Sequence, residues 1–239
     1  MRRALVTGGS GAIGAAICTR LAAAGCDVLI HPHRHPDEAE SLAARIRAGG
    51  GSAAALVFDV SELASVRAIL EHEVRDTPIQ ILVNNAGIHS DAVFPAMSGD
   101  QWDRVIDVSL NGFFNVTQPL MMPMIRSRWG RIVSVSSVAA LMGNRGQVNY
   151  AAAKGALHSA SRSLALEVAS RGITVNVVAP GIIAGGMGAG TFGAAEIDRL
   201  VPMKRAGQPA EVAELVAFLA SEAAAYISGQ VIAIDGAIS

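Results

Sequence analysis

Short apolar runs alternate along the chain with longer segments in which Ala, Leu, Ile and Val recur every three or four residues. A strand with one wet face would alternate apolar and polar residues with a period of two. These runs are continuous instead, as expected of strands covered on both faces in a parallel sheet. Strands are expected at residues 3–6, 27–31, 53–58, 79–83, 131–135, 173–178 and 231–234. Helices are expected at 11–24, 36–48, 62–74, 100–128, 149–170 and 209–220, with Gly25 and Gly172 as stops. The long one, 100–128, should kink or divide at Pro119 and Pro123. The pattern predicts an α/β fold: one doubly wound domain over 1–239, a seven-stranded parallel sheet with helices on both faces.

One stretch departs from the alternation. Residues 181–200 hold six glycines between Gly181 and Gly193, mixed with Met187 and Phe192. A long glycine-rich segment with apolar anchors, placed after a strand, is expected to form a substrate lid, with Met187 facing the substrate.

Composition narrows the function classes. The net charge of −1 gives no electrostatic footprint for nucleic acid or an anionic membrane surface. Mean hydropathy is high at +0.39, much of it from alanine and glycine, and no apolar run is long enough to span a bilayer. The chain enters its first strand directly, without the apolar stretch of a secretory signal. The two cysteines, Cys18 and Cys26, fit a reducing compartment and form no metal pattern. A cytoplasmic location is expected.

Thr7-Gly8-Gly9-Ser10-Gly11-Ala12-Ile13-Gly14 falls between the first strand and the first helix. Glycines there let the backbone approach a pyrophosphate, and the helix N-terminus offers N–H groups to it. Gly8, Ser10, Ala12, Ile13 and Gly14 are therefore expected to bind a dinucleotide. The second strand runs into His31-Pro32-His33-Arg34-His35, with no acid before Asp37. A carboxylate at that place would select NAD; Arg34, with His33, can pair a 2′-phosphate, so NADP(H) is expected. Metal binding by the three histidines lacks a cysteine or carboxylate partner, and a solvated basic loop is the plainer alternative. Asp59 and Val60 follow the third strand, where an aspartate can accept from an adenine amino group. Asn84-Asn85-Ala86-Gly87 follows the fourth; Asn85, Ala86 and Gly87 are small enough for close approach to the cofactor.

The chemistry centres on Tyr150 and Lys154, four apart and thus on one helical face, with Ser137 thirteen residues before the tyrosine. A tyrosine can donate a proton, a nearby cation can lower its pKa, and a serine hydroxyl can hold a carbonyl oxygen. A tyrosine and a lysine at this spacing also occur by chance on many helices.

Taken together, Thr7 to Gly14, Asp59, Asn84 to Gly87, Ser137, Tyr150, Lys154, Pro180 and Gly181 resemble the short-chain dehydrogenase/reductase family, of Rossmann type. Within it the chain is most similar to bacterial 3-oxoacyl-[acyl-carrier-protein] reductases, in residues 142–150, 171–181, 205–212 and 226–230. The resemblance implies NADPH-dependent reduction of a 3-oxoacyl thioester on acyl carrier protein, in fatty-acid biosynthesis, by a homotetramer. It implies that Tyr150 protonates the carbonyl oxygen, Ser137 hydrogen-bonds it, and Lys154 also holds the nicotinamide ribose. It further implies cofactor contacts from Pro180, Gly181 and the Ile183 backbone, a substrate entrance lined by Gln147, and carrier docking by Arg128 and Arg171 beside the mouth. Three positions depart from the family pattern. Ala12 replaces the middle glycine of the loop, Ser109 stands where an asparagine completes the catalytic set, and Gly185 replaces a threonine that touches the carboxamide. Ser109 is thereby a catalytic candidate that holds a relay water. Two other readings stand beside the first: a reductase or dehydrogenase of another ketone or secondary alcohol, and a cofactor-binding partner subunit of low activity.

Overall fold

The computed structural model of the chain describes residues 1–32, 35–75, 77–187 and 192–239. The strands are β1 (Arg3–Val6), β2 (Asp27–Ile30), β3 (Ser52–Ala55), β4 (Ile81–Asn84), β5 (Gly130–Val135), β6 (Ile173–Pro180) and β7 (Val231–Ile234). They pair in parallel in the order β3-β2-β1-β4-β5-β6-β7. The helices are α1 (Ala12–Ala23), α2 (Pro36–Ala48), α3 (Leu63–Glu73), α4 (Gly99–Ile106), α5 (Gly112–Ser127), α6 (Ala139–Met142), α7 (Val148–Val168), α8 (Ala194–Leu200) and α9 (Pro209–Leu219).

Successive strand residues point to opposite faces, and both faces are apolar, which explains the unbroken runs in the sequence. On one face Val6, Val28, Val133 and Val178 pack against Ile17 of α1, Leu42 of α2 and Val216 of α9. On the other, Leu5, Leu82, Ile132 and Val175 pack against Leu70 of α3, Leu120 of α5 and Val168 of α7. Burying one such side chain contributes roughly 1.5–3 kcal/mol. This is a Rossmann-type α/β fold.

Three local features differ from the expectation. The third strand stops at Ala55, because the chain turns so that Phe58 and Val60 enter the core while Val57 faces solvent. The fourth extends to Asn84, whose side-chain amide donates to Thr117 Oγ1 at 3.1 Å. The long helix divides at Asp107–Asn111, a turn of π type, and not at its prolines. Packing of Val116, Leu120 and Met124 on the sheet carries the helix past Pro119 and Pro123 despite the lost backbone bonds.

The loops after β1, β4, β5 and β6 meet at the C-terminal edge of the sheet, and β1 and β4 flank the point where strand order reverses. Ligands of such folds bind in the crevice there.

Candidate active site

The loop from Thr7 to Gly14 is shaped by its glycines. Gly8 adopts φ +62°, open to glycine, and a Cβ on Gly14 would run into the Gly8 carbonyl. Thr7 Oγ1 accepts from the backbone N–H groups of Asn85 and Ala86, both at 3.0 Å. Asn85 Nδ2 donates to the carbonyls of Thr7 and Gly8 at 2.9 and 3.0 Å. The amide expected to meet the cofactor thus supports the loop that would cradle it. His31 supplies a second support. Its Nδ1 accepts from Gly8 N–H at 3.2 Å, so Nε2 carries the proton and donates to the Phe58 carbonyl at 2.7 Å. Asp59 accepts from the Ser61 backbone and hydroxyl at 2.8 and 2.6 Å, and these bonds hold its carboxyl below the usual range. Ser10 and Ile13 are half-buried on the loop, while Ala12 is exposed and Val60 buried. His33 and Arg34, on which the NADP(H) expectation rests, lie outside the described residues. The tight glycine loop opening onto α1 is a cradle that a Cβ would fill, and it fits a dinucleotide phosphate.

Ser137, Tyr150 and Lys154 converge beside this loop. Tyr150 is 8% exposed, and its hydroxyl is hydrogen-bonded to the Ser137 side chain. Burial pushes its pKa up to about 12, with the Ser137 bond opposing and the Asp91 charge adding to the rise. The direction is opposite to the lowering expected from Lys154, because in so dry a setting desolvation dominates. Lys154 is 2% exposed and burial lowers its pKa to about 8. Its Nζ donates to the Val135 carbonyl at 2.9 Å and lies 5.9 Å from the centroid of the Tyr150 ring. Gly87 makes room for it, since a Cβ there would stand 2.9 Å from Lys154 Nζ and 3.5 Å from Ser109 Oγ. Ser109, in the π-type turn, is 3% exposed and its hydroxyl makes no hydrogen bond to another described residue. Asn111 bonds Asp107 at 2.7 Å on the exposed side, so it does not take the place of Ser109.

At the mouth, Gln147 Nε2 donates to both oxygens of Asp91 at 3.1 and 3.0 Å. Behind it, Gly181 N–H donates to Ile234 O at 3.0 Å, and the Pro180 carbonyl accepts from Val138 N–H at 2.8 Å. The segment after Gly181 is anchored at its base, where buried Ile183 bridges to Gly207 and Ala184 N–H donates to Gly207 O at 2.9 Å. Met187 is half-exposed; residues 188–191 lie outside the described part. Gly185 has φ +68°, and a Cβ on it would touch the Ala12 methyl at 3.6 Å. Two of the three departures from the family pattern are therefore neighbours.

Arg128 and Arg171 do not join this group. Arg128 ends α5 and donates to Ser170 O at 3.2 Å; Arg171 precedes β6. Both stand at the N-terminal edge of the sheet, about 20 Å along β5 from Ser137. Placing them beside this chain's own mouth is corrected by the direction of β5 and β6.

Sequence reasoning did not reach Asp91, Ser136 or His158. Ser136 Oγ donates to the Lys154 carbonyl at 3.0 Å and lies 2.7 Å from His158 Nε2. The sequence signal for His158 is its place one turn beyond Lys154 on the same helix face; Asp91, in a loop, carries none.

A dinucleotide cradle opposite a buried tyrosine and lysine and a half-buried serine defines an oxidoreductase of the Rossmann class. The chain belongs to the short-chain dehydrogenase family: a model of that family, described as short chain dehydrogenase, matches residues 2–194. It is 45% identical over 236 residues to a 3-oxoacyl-[acyl-carrier-protein] reductase of Aggregatibacter actinomycetemcomitans, covering 98% of each chain. Over 241 residues it is 42% identical to nodulation protein G of Rhizobium sp. strain N33, covering 100% of this chain and 97% of that one. It is also 39% identical over 241 residues to an acetoacetyl-CoA reductase of Allochromatium vinosum, covering 99% and 98%.

Proposed function

We propose that this protein reduces 3-oxoacyl thioesters, carried on acyl carrier protein, to the 3-hydroxyacyl thioesters with NADPH, in fatty-acid biosynthesis in the cytoplasm. The observation that carries the reading is the Ser137–Tyr150–Lys154 group, its tyrosine and lysine buried, facing the glycine cradle in a chain alike over its whole length to proteins named for that reaction. Gly8, Ser10, Ala12, Ile13, Gly14, Asp59, Val60, Ala86, Gly87, Pro180, Gly181 and Ile183 would hold the cofactor, with His33 and Arg34 at its 2′-phosphate. Bound there, a reduced nicotinamide supplies the hydride.

The chain's own part is proton and charge control. Ser137 donates a hydrogen bond to the substrate carbonyl as negative charge grows on its oxygen. Tyr150 hands its proton to that oxygen. A phenol with a pKa of about 12 is protonated at working pH yet far more acidic than the alcohol it creates, so the transfer runs downhill. Lys154 keeps a positive charge below pH about 8 and orients the ribose. Ser109 would hold the water that returns a proton; its buried, unsatisfied hydroxyl supports that role. Residues 181–200 serve as the lid, with Met187 and Gln147 at the substrate.

Exposed apolar residues on the outer faces of α5 (Phe114, Met122) and α7 (Leu166) support a homotetramer. If Arg128 and Arg171 dock an acidic carrier, their position means that they serve the mouth of a neighbouring copy. The acetoacetyl-CoA reductase among the relatives favours a second reading, in which the thioester is borne by coenzyme A.

The test is NADPH oxidation over matched 3-oxoacyl chains on carrier protein and on coenzyme A, with wild type and Tyr150→Phe. Turnover should favour the carrier and fall at least about 100-fold in the variant while NADPH still binds. Near-normal rates in Tyr150→Phe would refute the mechanism, and preference for coenzyme A would move the substrate to the second reading. A chain that binds NADPH and turns over no thioester would be the low-activity partner subunit.

A further inference from the structure

The hydroxyl of Ser136 lies between two groups of α7. It donates to the Lys154 carbonyl at 3.0 Å, and its oxygen is 2.7 Å from His158 Nε2. A serine hydroxyl has one proton, and when that proton goes to the carbonyl the oxygen is left as an acceptor. The short contact to His158 is then satisfied only if Nε2–H donates to Ser136. The imidazole therefore decides which way the serine points. In the opposite tautomer, Nε2 would draw the serine proton to itself and the Lys154 carbonyl would lose its second donor.

Ser136 is well placed to transmit that choice. Its backbone N–H donates to Val178 O at 2.7 Å, which fastens it to β6, and it is bonded directly to Ser137. On the helix side, Lys154 lies one turn before His158 and Tyr150 one turn before that. The link from β5 to α7 thus sits behind all three residues of the candidate site.

We propose that His158 is a positioning residue. Through Ser136 it locks the end of β5 to the Lys154 turn of α7 and so holds Ser137 against Tyr150 and Lys154 in reacting geometry. The inference rests on the reading of those three residues given above. Burial, aided by the Arg162 charge, lowers the His158 pKa, so the ring is neutral at working pH. Protonation would leave Nε2–H in place, so acid does not release the lock.

The test compares His158→Leu, His158→Gln and Ser136→Ala with wild type. His158→Leu should lower kcat roughly 10- to 100-fold, the scale of a small misplacement of reacting groups, with KM and NADPH affinity nearly unchanged. The apparent pKa governing kcat should move with it. Gln, which presents an N–H at nearly the same reach, should restore most of the rate. Ser136→Ala should reproduce the loss of His158→Leu, and the double variant should be no worse than either single one. Wild-type kcat in His158→Leu would overturn the inference. So would a loss that follows thermal stability or NADPH affinity and is not recovered by Gln. Ser136→Ala reads the same link if His158→Leu fails to fold. Activity surviving in Tyr150→Phe would instead condemn the reading of the site, which keeps the two failures apart.

Discussion

Lys154 is a costly residue to bury. Its ammonium is taken wholly out of water, with the Val135 carbonyl as its hydrogen-bond acceptor, and its pKa falls from an ordinary 10.5 to about 8. Between those values the unfolded chain binds a proton that the folded chain has shed, so stability must rise with pH in that window. Cys18 and Cys26 act in the other sense. Burial pushes both up from an ordinary 9.0, so their contribution is whole below that pH and lost above it. Tyr150, raised from 10.0, follows only at higher pH still. Among these groups the lysine dominates between about pH 8 and 9, since the opposing effect of the cysteines grows in only as pH nears 9. Urea unfolding of the free protein across that interval should show stability climbing in wild type and not in Lys154→Met; equal slopes would mean that the lysine is not desolvated as described.

Among the elements, the loop after β4 shows how backbone shape governs chemistry. A methyl on Gly87 would meet the tip of Lys154, a flexible end that can move aside, and not a backbone atom. Gly87→Ala should therefore cost activity, on the order of 10-fold or more, while thermal unfolding stays close to wild type. Equal loss of both would show a fold defect. Most of this architecture was legible beforehand. Unbroken apolar runs betray strands covered on two sides, and the glycines after β1 and β4 mark where backbone must come close. The π-type turn at Asp107–Asn111 was not singled out, although Asn111-Gly112 closes it, because Pro119 and Pro123 are the stronger local breakers and packing on the sheet overrides them. Nor was the rise in the Tyr150 pKa. Charge proximity can be read from a four-residue spacing, whereas dryness depends on segments distant in sequence. The link from Ser136 to His158 was missed for the same reason, since it joins a strand end to a helix 22 residues later.

At the scale of the whole molecule, the two ends of the sheet have different work. Chemistry gathers at the C-terminal edge, and Arg128 and Arg171 stand at the other, so this chain's arginines would need a second copy's mouth to serve. Leu166, 85% exposed on α7, is the apolar residue on which such an assembly can be tested. Leu166→Asp should yield smaller particles in light scattering and impair carrier-borne substrate more than a small thioester. An unchanged mass would clear the outer face of α7 of any part in assembly. The contact between Ala12 and Gly185 reaches further, into the protein's ancestry. A side chain at 185 would have to accept a left-handed backbone, and its Cβ would meet the Ala12 methyl in ordinary contact at 3.6 Å. Threonine at 185 would therefore strain the backbone whichever residue stands at 12, whereas Ala12→Gly alone only opens space beside it. Lineages that keep this left-handed turn should therefore keep the glycine at 185, while position 12 is free to drift between alanine and glycine.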